Sequence, residues 1–488
     1  MKNLKDILYK VAIQKVFGVT DLSVNQLIFD SRNVTNNDVF IAIKGVSVDG
    51  HLYIEKAISL GAKAIICEEF PADKKENITY IKVADSHDAL AIMAANFYKN
   101  PSSKLALVGV TGTNGKTTIA SLLYQLFAKA GYKVGLISTV KILVGDTEFR
   151  ATHTTPDSLT INYYLDIMIE NEVEYCFMEV SSHGIHQKRT QGLTFAGGIF
   201  SNLSHDHLDY HKTFTAYRDV KKSFFDNLPS TAFALTNADD KNGLVMLQNT
   251  KAIKKTYALK TLADFKAKIL EKQFSGTLIT INGTEVWTKL IGEFNVYNLL
   301  AISATAELLG LEKIKTLTII SQLESVSGRF QYVVSSNGVI AIVDYAHTPD
   351  ALKNVLETIN DIRTGNEKVI TVVGCGGDRD ATKRPKMAHI ASQLSHQAIF
   401  TADNPRSENP QTIIDEMEAG VAAENYKKTL SILDRKQAIK TACKLSSQGD
   451  IILIAGKGHE NYQEINGIRS HFDDLEEVTN CFNQLKMN

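Results

Sequence analysis

The chain has 488 residues and a formal net charge of −1, and its apolar and charged fractions, 44% and 22%, are ordinary for a globular protein. This length exceeds what one hydrophobic core serves, so we expect three domains. The near-zero charge excludes a basic field that would attract nucleic acid or an anionic membrane. No apolar run approaches the roughly 20 residues of a membrane span, and the first residues lack the apolar segment of a signal peptide.

The five cysteines are scattered along the sequence without a Cys-x-x-Cys pair. This pattern favours a reducing compartment and argues against a disulfide framework or a structural zinc site. We therefore expect a cytoplasmic enzyme. As partners we expect small-molecule substrates, with no nucleic acid and no membrane, and we expect a monomer.

Residues 1–101 alternate short strands and helices. Strands are predicted over 39–43 and 64–67, and helices over 51–60 and 88–98. An Asn-Pro pair ends the last helix and marks a domain boundary. By itself this region predicts only a small α/β domain.

A glycine-rich turn then joins a predicted strand over 105–110 to a helix that begins near Lys116. The glycines let backbone N–H groups face a phosphate, and the helix N-terminus adds partial positive charge. Lys116 can reach the terminal phosphates, and the Thr117 hydroxyl can hold magnesium. Because Val110 stands where the usual motif has its first glycine, a turn that binds nothing is the alternative.

The strand predicted over 175–178 delivers Glu179 at its carboxyl end, the edge at which doubly wound sheets bind ligands. An acid beside a Gly-Lys-Thr loop is the natural second ligand of magnesium, and a buried glutamate paired with a lysine is the alternative. A further polar segment, residues 202–211, contains three histidines and two aspartates and suggests metal or phosphate contacts. Ser182 and its neighbours do not form a Gly-x-Ser-x-Gly turn, which argues against serine-hydrolase chemistry.

Lys221 lies on the apolar face of a predicted helix, four residues after Tyr217, whereas Lys222 points elsewhere. Such a lysine usually extends its amine to solvent. Burial would instead lower its pKa, and a neutral amine can add carbon dioxide to give a metal-binding carbamate. The residues alone favour the first interpretation. Asn298 precedes a helix predicted over 299–309, where an asparagine is more often a cap than a ligand.

The last region, from residue 329, contains four predicted strands that each end in a polar, Gly- or Asp-rich loop. The strands are predicted over 339–343, 369–373, 398–402 and 451–455. Carboxyl ends of parallel strands meet at one edge of a sheet, so four such loops mark a binding edge.

The segment Thr-Gly-Thr-Asn-Gly-Lys-Thr-Thr over 111–118 resembles the ATP loop of the Mur ligase family, whose form explains the displaced glycine. The whole chain is similar to the members that extend UDP-N-acetylmuramoyl-L-alanyl-D-glutamate by one amino acid. The segments that carry this similarity are 179–184, 202–211, 344–350, 376–380 and 456–460. The resemblance implies an α/β protein of three domains: a small N-terminal UDP-binding domain (1–101), a central P-loop ATPase-like domain with a parallel sheet (102–328), and a C-terminal Rossmann-like domain that binds the amino acid (329–488).

The implied reaction makes a peptidoglycan precursor. ATP phosphorylates the D-Glu side-chain carboxylate, and the amine of the incoming amino acid attacks the acyl phosphate. ATP is implied as co-substrate, with two magnesium ions. Implied magnesium ligands are Thr117, Glu179, His207 and Lys221, the last as the carbamate N6-carboxylysine, and implied catalytic residues are Lys116, Lys221 and His207. The positions implied for ATP are Gly112, Thr113, Asn114, Gly115, Lys116, Thr117, Thr118, Asn298, Arg329 and Asp344.

The same resemblance implies two substrate sites. The UDP-linked dipeptide would contact Ser31, Thr154, Thr155, Ser182, Gln187 and Arg189. The amino-acid site would comprise Arg379, Asp403, Asn404, Pro405, Arg406, Gly456 and Glu460. Within it, Asp-Asn-Pro-Arg resembles the signature of members that add meso-diaminopimelate. Arg406 can clasp the distal carboxylate in bidentate fashion, and Glu460 can pair with the distal ammonium.

L-Lysine is the alternative amino acid, but Arg406 would repel its ammonium. A sister ligase such as folylpolyglutamate synthase should lack the signature. A P-loop switch or mechanical ATPase would need no domain with four ligand loops.

Gln331 stands where the family commonly has glutamate. A neutral side chain at this position argues against a role for charge there. The sites implied in two domains must close on each other for the amine to reach the acyl phosphate.

Overall fold

The computed structural model describes residues 1–45, 48–204 and 206–485. His205, one of the three histidines of the predicted polar segment, therefore lies outside the described residues.

The first region is a small sheet with helices packed on it. Its elements are β1 (Lys2–Asn3), α1 (Leu4–Ile7), β2 (Ile13–Phe17), β3 (Ser23–Val24), β4 (Leu27–Ile28), β5 (Val39–Ile41), α2 (Ile54–Ser59), β6 (Ala64–Cys67), β7 (Thr79–Val83) and α3 (Ser86–Phe97). Five strands pair in the order β2-β7-β6-β5-β4, parallel except for β2, and β1 and β3 form a separate antiparallel pair. Ser31 lies in a short 3-10 turn after β4, which the Asp30 side chain caps.

The central region contains the longest sheet. Its elements are β8 (Ala106–Thr111), α4 (Lys116–Lys129), β9 (Val134–Ile137), β10 (Lys141–Val144), β11 (Thr147–Arg150), α5 (Ser158–Glu170), β12 (Tyr175–Glu179), α6 (Ser182–His186), β13 (Gly197–Phe200), α7 (Leu208–His211), α8 (Phe214–Asp226), β14 (Phe233–Asn237), α9 (Gly243–Met246), β15 (Ile253–Ala258), β16 (Phe265–Gln273), β17 (Gly276–Ile281), β18 (Thr284–Thr288), α10 (Glu293–Leu308) and α11 (Lys313–Ile320). The strand order is β11-β10-β9-β12-β8-β13-β14-β15-β16-β17-β18.

The third region repeats the strand–helix alternation. Its elements are β19 (Gln331–Val334), β20 (Ile340–Asp344), α12 (Pro349–Ile362), β21 (Val369–Val373), α13 (Lys383–Leu394), β22 (Gln397–Phe400), α14 (Pro410–Glu418), β23 (Thr429–Ser431), α15 (Arg435–Leu445), β24 (Ile451–Ala455), β25 (Tyr462–Ile465), β26 (Ile468–His471) and α16 (Asp474–Leu485). The sheet order is β19-β20-β24-β21-β22-β23, parallel except for β19.

Alternating residues of β8 divide the central core into two layers. Val108 packs in one apolar cluster with Leu122 of α4 and Leu299 of α10, whereas Leu107 packs in a second cluster with residues of α5 and α8. A strand covered on both faces is expected to be a nearly continuous apolar run, and β8 is apolar as far as Val110. Each large side chain buried in this way contributes roughly 1.5–3 kcal/mol. The strand therefore holds the loop after Thr111 rigidly at the sheet edge.

The predicted start of the helix after residue 298 was wrong. Helix α10 begins at Glu293. The residue before it, Gly292, has a φ of +97°, which is outside the helical range. Asn295 and Asn298 therefore lie inside the helix and are not its caps. The buried face of the helix begins with Val296, and this tertiary packing extends the helix toward its N-terminus.

Two further features bear on the sequence predictions. Among the described residues, no helix combines the length and apolarity needed to cross a bilayer. The sheets occupy separate stretches of the chain, but the domain boundaries at 101/102 and 328/329 stay a prediction.

Candidate active site

One cavity of about 1960 Å³ lies between the central and third regions. Its lining includes the loops after β8 and β12 and the loops after β20, β21, β22 and β24. The predicted phosphate-loop edge and the predicted four-loop edge thus border the same space. Most of the predicted site residues line this cavity; Ser31, Gly112, Gln187 and Pro405 do not.

The loop between β8 and α4 has the geometry of a phosphate cradle. Gly112 and Gly115 have φ of +147° and +86°, values that favour glycine, and a Cβ at Gly112 would overlap the Ser201 hydroxyl. Gly115 is the residue before the first turn of α4, so N–H groups of that turn face the cavity. Lys116 Nζ donates to the carbonyls of Gly112 and Thr113 at 3.0 and 2.8 Å. In this geometry the amine lies over the loop, where a phosphate would sit.

Thr117 and Glu179 are joined at the base of this loop. The Thr117 hydroxyl donates to Glu179 Oε2 at 3.0 Å, and Glu179 Oε1 accepts the Thr139 N–H at 2.7 Å. Both side chains are buried. Among the described residues Glu179 makes no direct ion pair with a lysine, but its charge acts on the buried Lys116 amine, so the glutamate–lysine pair stays an alternative. A hydroxyl and a carboxylate are oxygen donors of the type that magnesium prefers.

Lys221 does not extend to solvent, so the interpretation favoured by the residues alone was wrong. Its side chain is 1% exposed, and Nζ donates to the Gly112 carbonyl at 2.8 Å. Burial lowers the pKa of Lys221 well below its usual value, and the nearby Lys116 cation adds to this effect. Lys222 is also buried, but it pairs with Asp226 one turn further along α8. The chemistry of Lys221 is therefore that of an amine poised to be neutral.

His207 lies beside Lys221 on the same edge. Partial burial of its ring lowers the pKa of His207 to about 3, against the opposing effect of Asp206, whose Oδ2 is 3.4 Å from Nε2. A neutral imidazole can accept a proton or bind a metal. Among the described residues, no group of three or more His, Cys, Asp or Glu gathers as a metal site. A magnesium shell here would need phosphate oxygens from the nucleotide in addition to protein ligands.

Residues of the third region reach the phosphate loop directly. Arg329 Nη2 donates to the Thr117 hydroxyl at 3.2 Å, and Asn114 Nδ2 donates to Asp350 Oδ2 at 3.1 Å. The pKa of Asp344 is raised to about 6 because the carboxyl is buried, with Arg329 acting in the opposite direction. A position predicted for the nucleotide, Arg329, is thus brought to the loop by tertiary structure.

A buried ion pair that was not predicted from the sequence joins the central and third regions. Lys383 Nζ of α13 lies 2.5 Å from Asp206 Oδ1, and both side chains are largely buried. The two residues are 177 positions apart. The only sequence signal for this pair was the charge-rich segment around each member.

Asn298, one of the positions predicted for ATP, lies in α10. The Asn298 side chain lies against Gly115, because a Cβ added to Gly115 would be 2.6 Å from Asn298 Oδ1. Asn298 Nδ2 donates to Asn295 Oδ1 at 3.2 Å. Tyr297 lines the cavity and donates its hydroxyl to Asp239 at 2.8 Å. No pattern in the sequence marked this aromatic ring as a site residue.

The residues predicted for the UDP-linked dipeptide lie partly on the cavity wall. Arg189 donates to the Thr155 carbonyl at 2.6 Å and to Gln187 Oε1 at 2.7 Å. The Thr139 hydroxyl donates to the Thr154 hydroxyl at 3.0 Å. The buried Ser182 hydroxyl has no hydrogen-bond partner among the described residues. An unpartnered buried hydroxyl at the cavity wall suits a polar ligand.

The predicted amino-acid site is assembled from loops far apart in the chain. Asn404 Nδ2 donates to Glu460 Oε2 at 2.7 Å, and Arg406 Nη1 donates to the Gly377 carbonyl at 2.7 Å. Gly456 has φ of +118°, and a Cβ there would approach the Asp403 carboxylate to 2.6 Å. Arg379 shares the lining with these residues. Lys457, between Gly456 and Glu460, received no predicted role but lies fully buried among these side chains.

Gln331 has a structural role that requires no charge. Its Oε1 accepts the Gly328 N–H at 2.9 Å, which holds the turn that presents Arg329. A neutral amide oxygen is sufficient for this contact, so glutamine preserves the turn.

A phosphate loop that shares a cavity with an amino-acid-type pocket defines the class of ATP-dependent ligases. Family models match this chain as Mur ligase middle domain over 110–306, Mur ligase glutamate ligase domain over 328–458, and Mur ligase family catalytic domain over 23–98. The chain belongs to the Mur ligase family.

Individual relatives agree. A protein of Cytophaga hutchinsonii named UDP-N-acetylmuramoyl-L-alanyl-D-glutamate–2,6-diaminopimelate ligase is 55% identical, over 96% of this chain and 97% of its own. A protein of Bacteroides fragilis with the same name is 54% identical over 98% and 99%. A solved structure of that name matches with TM-score 0.70 at 31% identity, covering 99% of both chains. A MurF ligase from Thermotoga maritima in complex with ADP shares the fold, with TM-score 0.63 at 20% identity over 95% of this chain and 99% of that one.

Proposed function

We infer that this chain uses ATP to join meso-2,6-diaminopimelate to the D-Glu side-chain carboxylate of UDP-N-acetylmuramoyl-L-alanyl-D-glutamate. This reaction extends a peptidoglycan precursor. Relatives with 53–55% identity over nearly their full length carry the name of this ligase. The observation that carries the inference is that Asp403, Asn404 and Arg406 line one cavity with the phosphate loop. A P-loop switch would have no use for the pocket on the far wall.

Phosphoryl transfer to a carboxylate brings two anions together, so cations must stabilise the transition state. Lys116 lies over the loop, and Arg329 contacts the same hydroxyl as Glu179 does. Thr117 and Glu179 supply the oxygen donors for one magnesium ion. Bound there, magnesium would neutralise charge on the transferred phosphoryl group.

We place a second magnesium ion near His207 and Lys221. A neutral Lys221 amine carries no charge to hold a metal, whereas the carbamate formed from it carries the negative charge that a metal binds. The neutral Nζ attacks carbon dioxide, an N–C bond forms, and one proton leaves to solvent. Burial of Lys221 supports this step because it favours the neutral amine and shields the product.

Incubation with ¹³C-bicarbonate should give a carbamate NMR signal that is lost in Lys221→Met. A signal that persists in the variant contradicts the assignment.

The incoming amino acid would lie in the pocket around Asp403, with its distal end toward Arg406 and Glu460. Among the described residues, Arg406 Nε and Nη2 donate no hydrogen bond, so this edge of the guanidinium is available for a carboxylate. L-Lysine has no distal carboxylate to offer it. The UDP-linked dipeptide would lie against Thr154, Thr155 and Arg189, with Ser31 and Gln187 completing the site from outside the cavity wall.

The test is phosphate release by the purified protein with ATP, magnesium and UDP-N-acetylmuramoyl-L-alanyl-D-glutamate. Parallel reactions receive meso-diaminopimelate, L-lysine or no amino acid. Release that requires diaminopimelate is expected. Equal release with lysine would contradict the role of Arg406, and no release with either amino acid would contradict the ligase assignment. Light scattering of the same sample tests the predicted monomer.

A further inference from the structure

The amine of Lys457 lies beneath the amino-acid pocket, in contact with residues of its wall, although no substrate role was predicted for it. Its side chain is 0% exposed. Nζ donates to Asn404 Oδ1 at 3.1 Å, and it lies 3.5 Å from Asp403 Oδ1 and 3.7 Å from Glu460 Oε2. All three acceptors belong to the predicted amino-acid site. A fully buried cation with this set of partners organises the pocket from beneath.

Lys457 is one of two donors that fix the orientation of the Asn404 amide. Besides Lys457 Nζ, the Glu464 backbone N–H also donates to Asn404 Oδ1, at 2.9 Å. Both groups can only donate, so they require the oxygen on their side. The amide nitrogen must then face the other way, where it donates to Glu460 Oε2 at 2.7 Å. One oxygen of Glu460 is thereby held by the protein, and the other remains for a ligand.

The surrounding charges explain why a cation is needed here. Burial raises the pKa of Glu460, and Asp403 adds to the rise, whereas Lys457 and Arg406 oppose it. Tyr345 after β20, Tyr462 and Arg469 of the β25–β26 hairpin, and Arg435 of α15 also interact with the Glu460 carboxylate. Without Lys457, less positive charge would offset the repulsion between the Asp403 and Glu460 carboxylates. A protonated Glu460 would be a poor acceptor for an ammonium group.

We propose that Lys457 is a positioning residue that holds Glu460 as the ionised acceptor for the distal ammonium of the incoming diamino acid. Lys457 itself does not touch the substrate in this arrangement; it acts through Asn404 and Glu460. The inference rests on the proposed function, because it assumes that a diamino acid occupies the pocket. It adds a residue that gives the pocket its preference for a second amine.

The main competing explanation is that Lys457 only stabilises the folded domain. The two explanations differ in substrate dependence. A structural loss would weaken every amino acid equally, whereas a positioning loss affects only substrates whose distal amine meets Glu460. The probes are therefore meso-diaminopimelate and 2-aminopimelate, which keeps the distal carboxylate and lacks the distal amine.

The experiment compares full-length wild-type protein with Lys457→Met by steady-state phosphate release. We expect KM for diaminopimelate to rise on the order of 10- to 100-fold, the usual loss when a charged hydrogen bond is removed. KM for ATP and the affinity for 2-aminopimelate, measured as substrate or as competitive inhibitor, should stay within about 3-fold. Lys436→Met is the matched control, because that lysine is exposed and paired only at the surface with Glu477. It should change nothing.

Lys457→Gln is the second variant, in case the methionine variant does not fold. It keeps a neutral donor but removes the charge, and the same selective loss is expected. Equal losses for both amino acids would overturn the inference, as would wild-type affinity for diaminopimelate in a folded variant. If wild-type protein releases no phosphate with diaminopimelate, the proposed function fails, and the inference fails with it.

Discussion

The phosphate loop and the amino-acid pocket both lie at carboxyl ends of parallel strands, yet they are built differently. The loop is one continuous segment, residues 111–118, in which glycines and a helix N-terminus create the site from backbone groups. The pocket draws on loops after β21, β22 and β24 and on the β25–β26 hairpin. Backbone recognition suits phosphate, which every nucleotide shares, whereas a pocket of side chains from separate loops can distinguish one amino acid from another.

This difference predicts how each region fails. A change in the loop should stop all chemistry, because every substrate depends on phosphoryl transfer. A change in the pocket should act on one substrate. Residues at the junction should affect how the two regions work together.

The largest effect is expected for Lys116→Met. The amine over the loop is the nearest protein cation to the expected phosphates, so its loss should lower kcat about 10²- to 10³-fold. The measurement is phosphate release at saturating substrates. Lys129→Met, an exposed lysine at the end of the same helix, is the control and should retain wild-type activity. A Lys116 variant with a tenth of wild-type activity would contradict the assignment.

Arg406→Met should act on the pocket alone. Loss of a bidentate ionic contact should raise KM for diaminopimelate roughly 30- to 100-fold, with KM for ATP unchanged. Arg406→Lys keeps the charge but not the planar fork, so an intermediate loss is expected. If KM for diaminopimelate and KM for ATP rose together, the prediction that Arg406 acts on the amino-acid pocket alone would be wrong.

At the junction, Asp344→Asn should stabilise the protein above pH 6. The buried carboxyl has its pKa raised to about 6, so the folded protein binds the proton more tightly than the unfolded chain does. Wild-type stability therefore falls as pH rises from about 4 to about 6 and changes little from this group beyond that range. Asparagine resembles the protonated form and avoids this loss, which is worth up to about 2–3 kcal/mol.

Urea unfolding of both proteins at pH 4 and pH 8 measures this difference. The two free energies of unfolding should converge at pH 4 and separate at pH 8. A wild-type protein that is the more stable of the two at pH 8 would show that Arg329 outweighs burial.

The smallest effect is expected at the buried pair between regions. Lys383→Met leaves Asp206 without its cation and should lower kcat about 10-fold by weakening the docked arrangement. The double variant with Asp206→Asn should recover part of the loss, because no unpaired charge remains. Small-angle scattering with and without ligands gives the independent measure. Additive losses would argue against coupling through this pair.

The predictability of each region follows the same division. The phosphate loop was predictable because its residues are adjacent and their roles follow from a local strand–turn–helix geometry. The four loops of the third region were predictable as a binding edge, since each follows an apolar strand. The helix start at residue 299 was wrong because packing of Val296 extends α10. Lys383 could not be assigned, because its partner is 177 positions away.

Local patterns of glycines, apolar runs and polar loop ends were enough to determine that this protein is an α/β nucleotide-dependent enzyme with a phosphate loop and a second binding edge. The resemblance to the Mur ligases then implied its reaction. Only the tertiary structure decided that Lys221 is buried rather than exposed, that Arg329 reaches Thr117, and that Lys457 joins three pocket residues. The physical reason is that burial and ionic contacts depend on distance in space, and these distances are set by sheets that bring remote loops to a common edge.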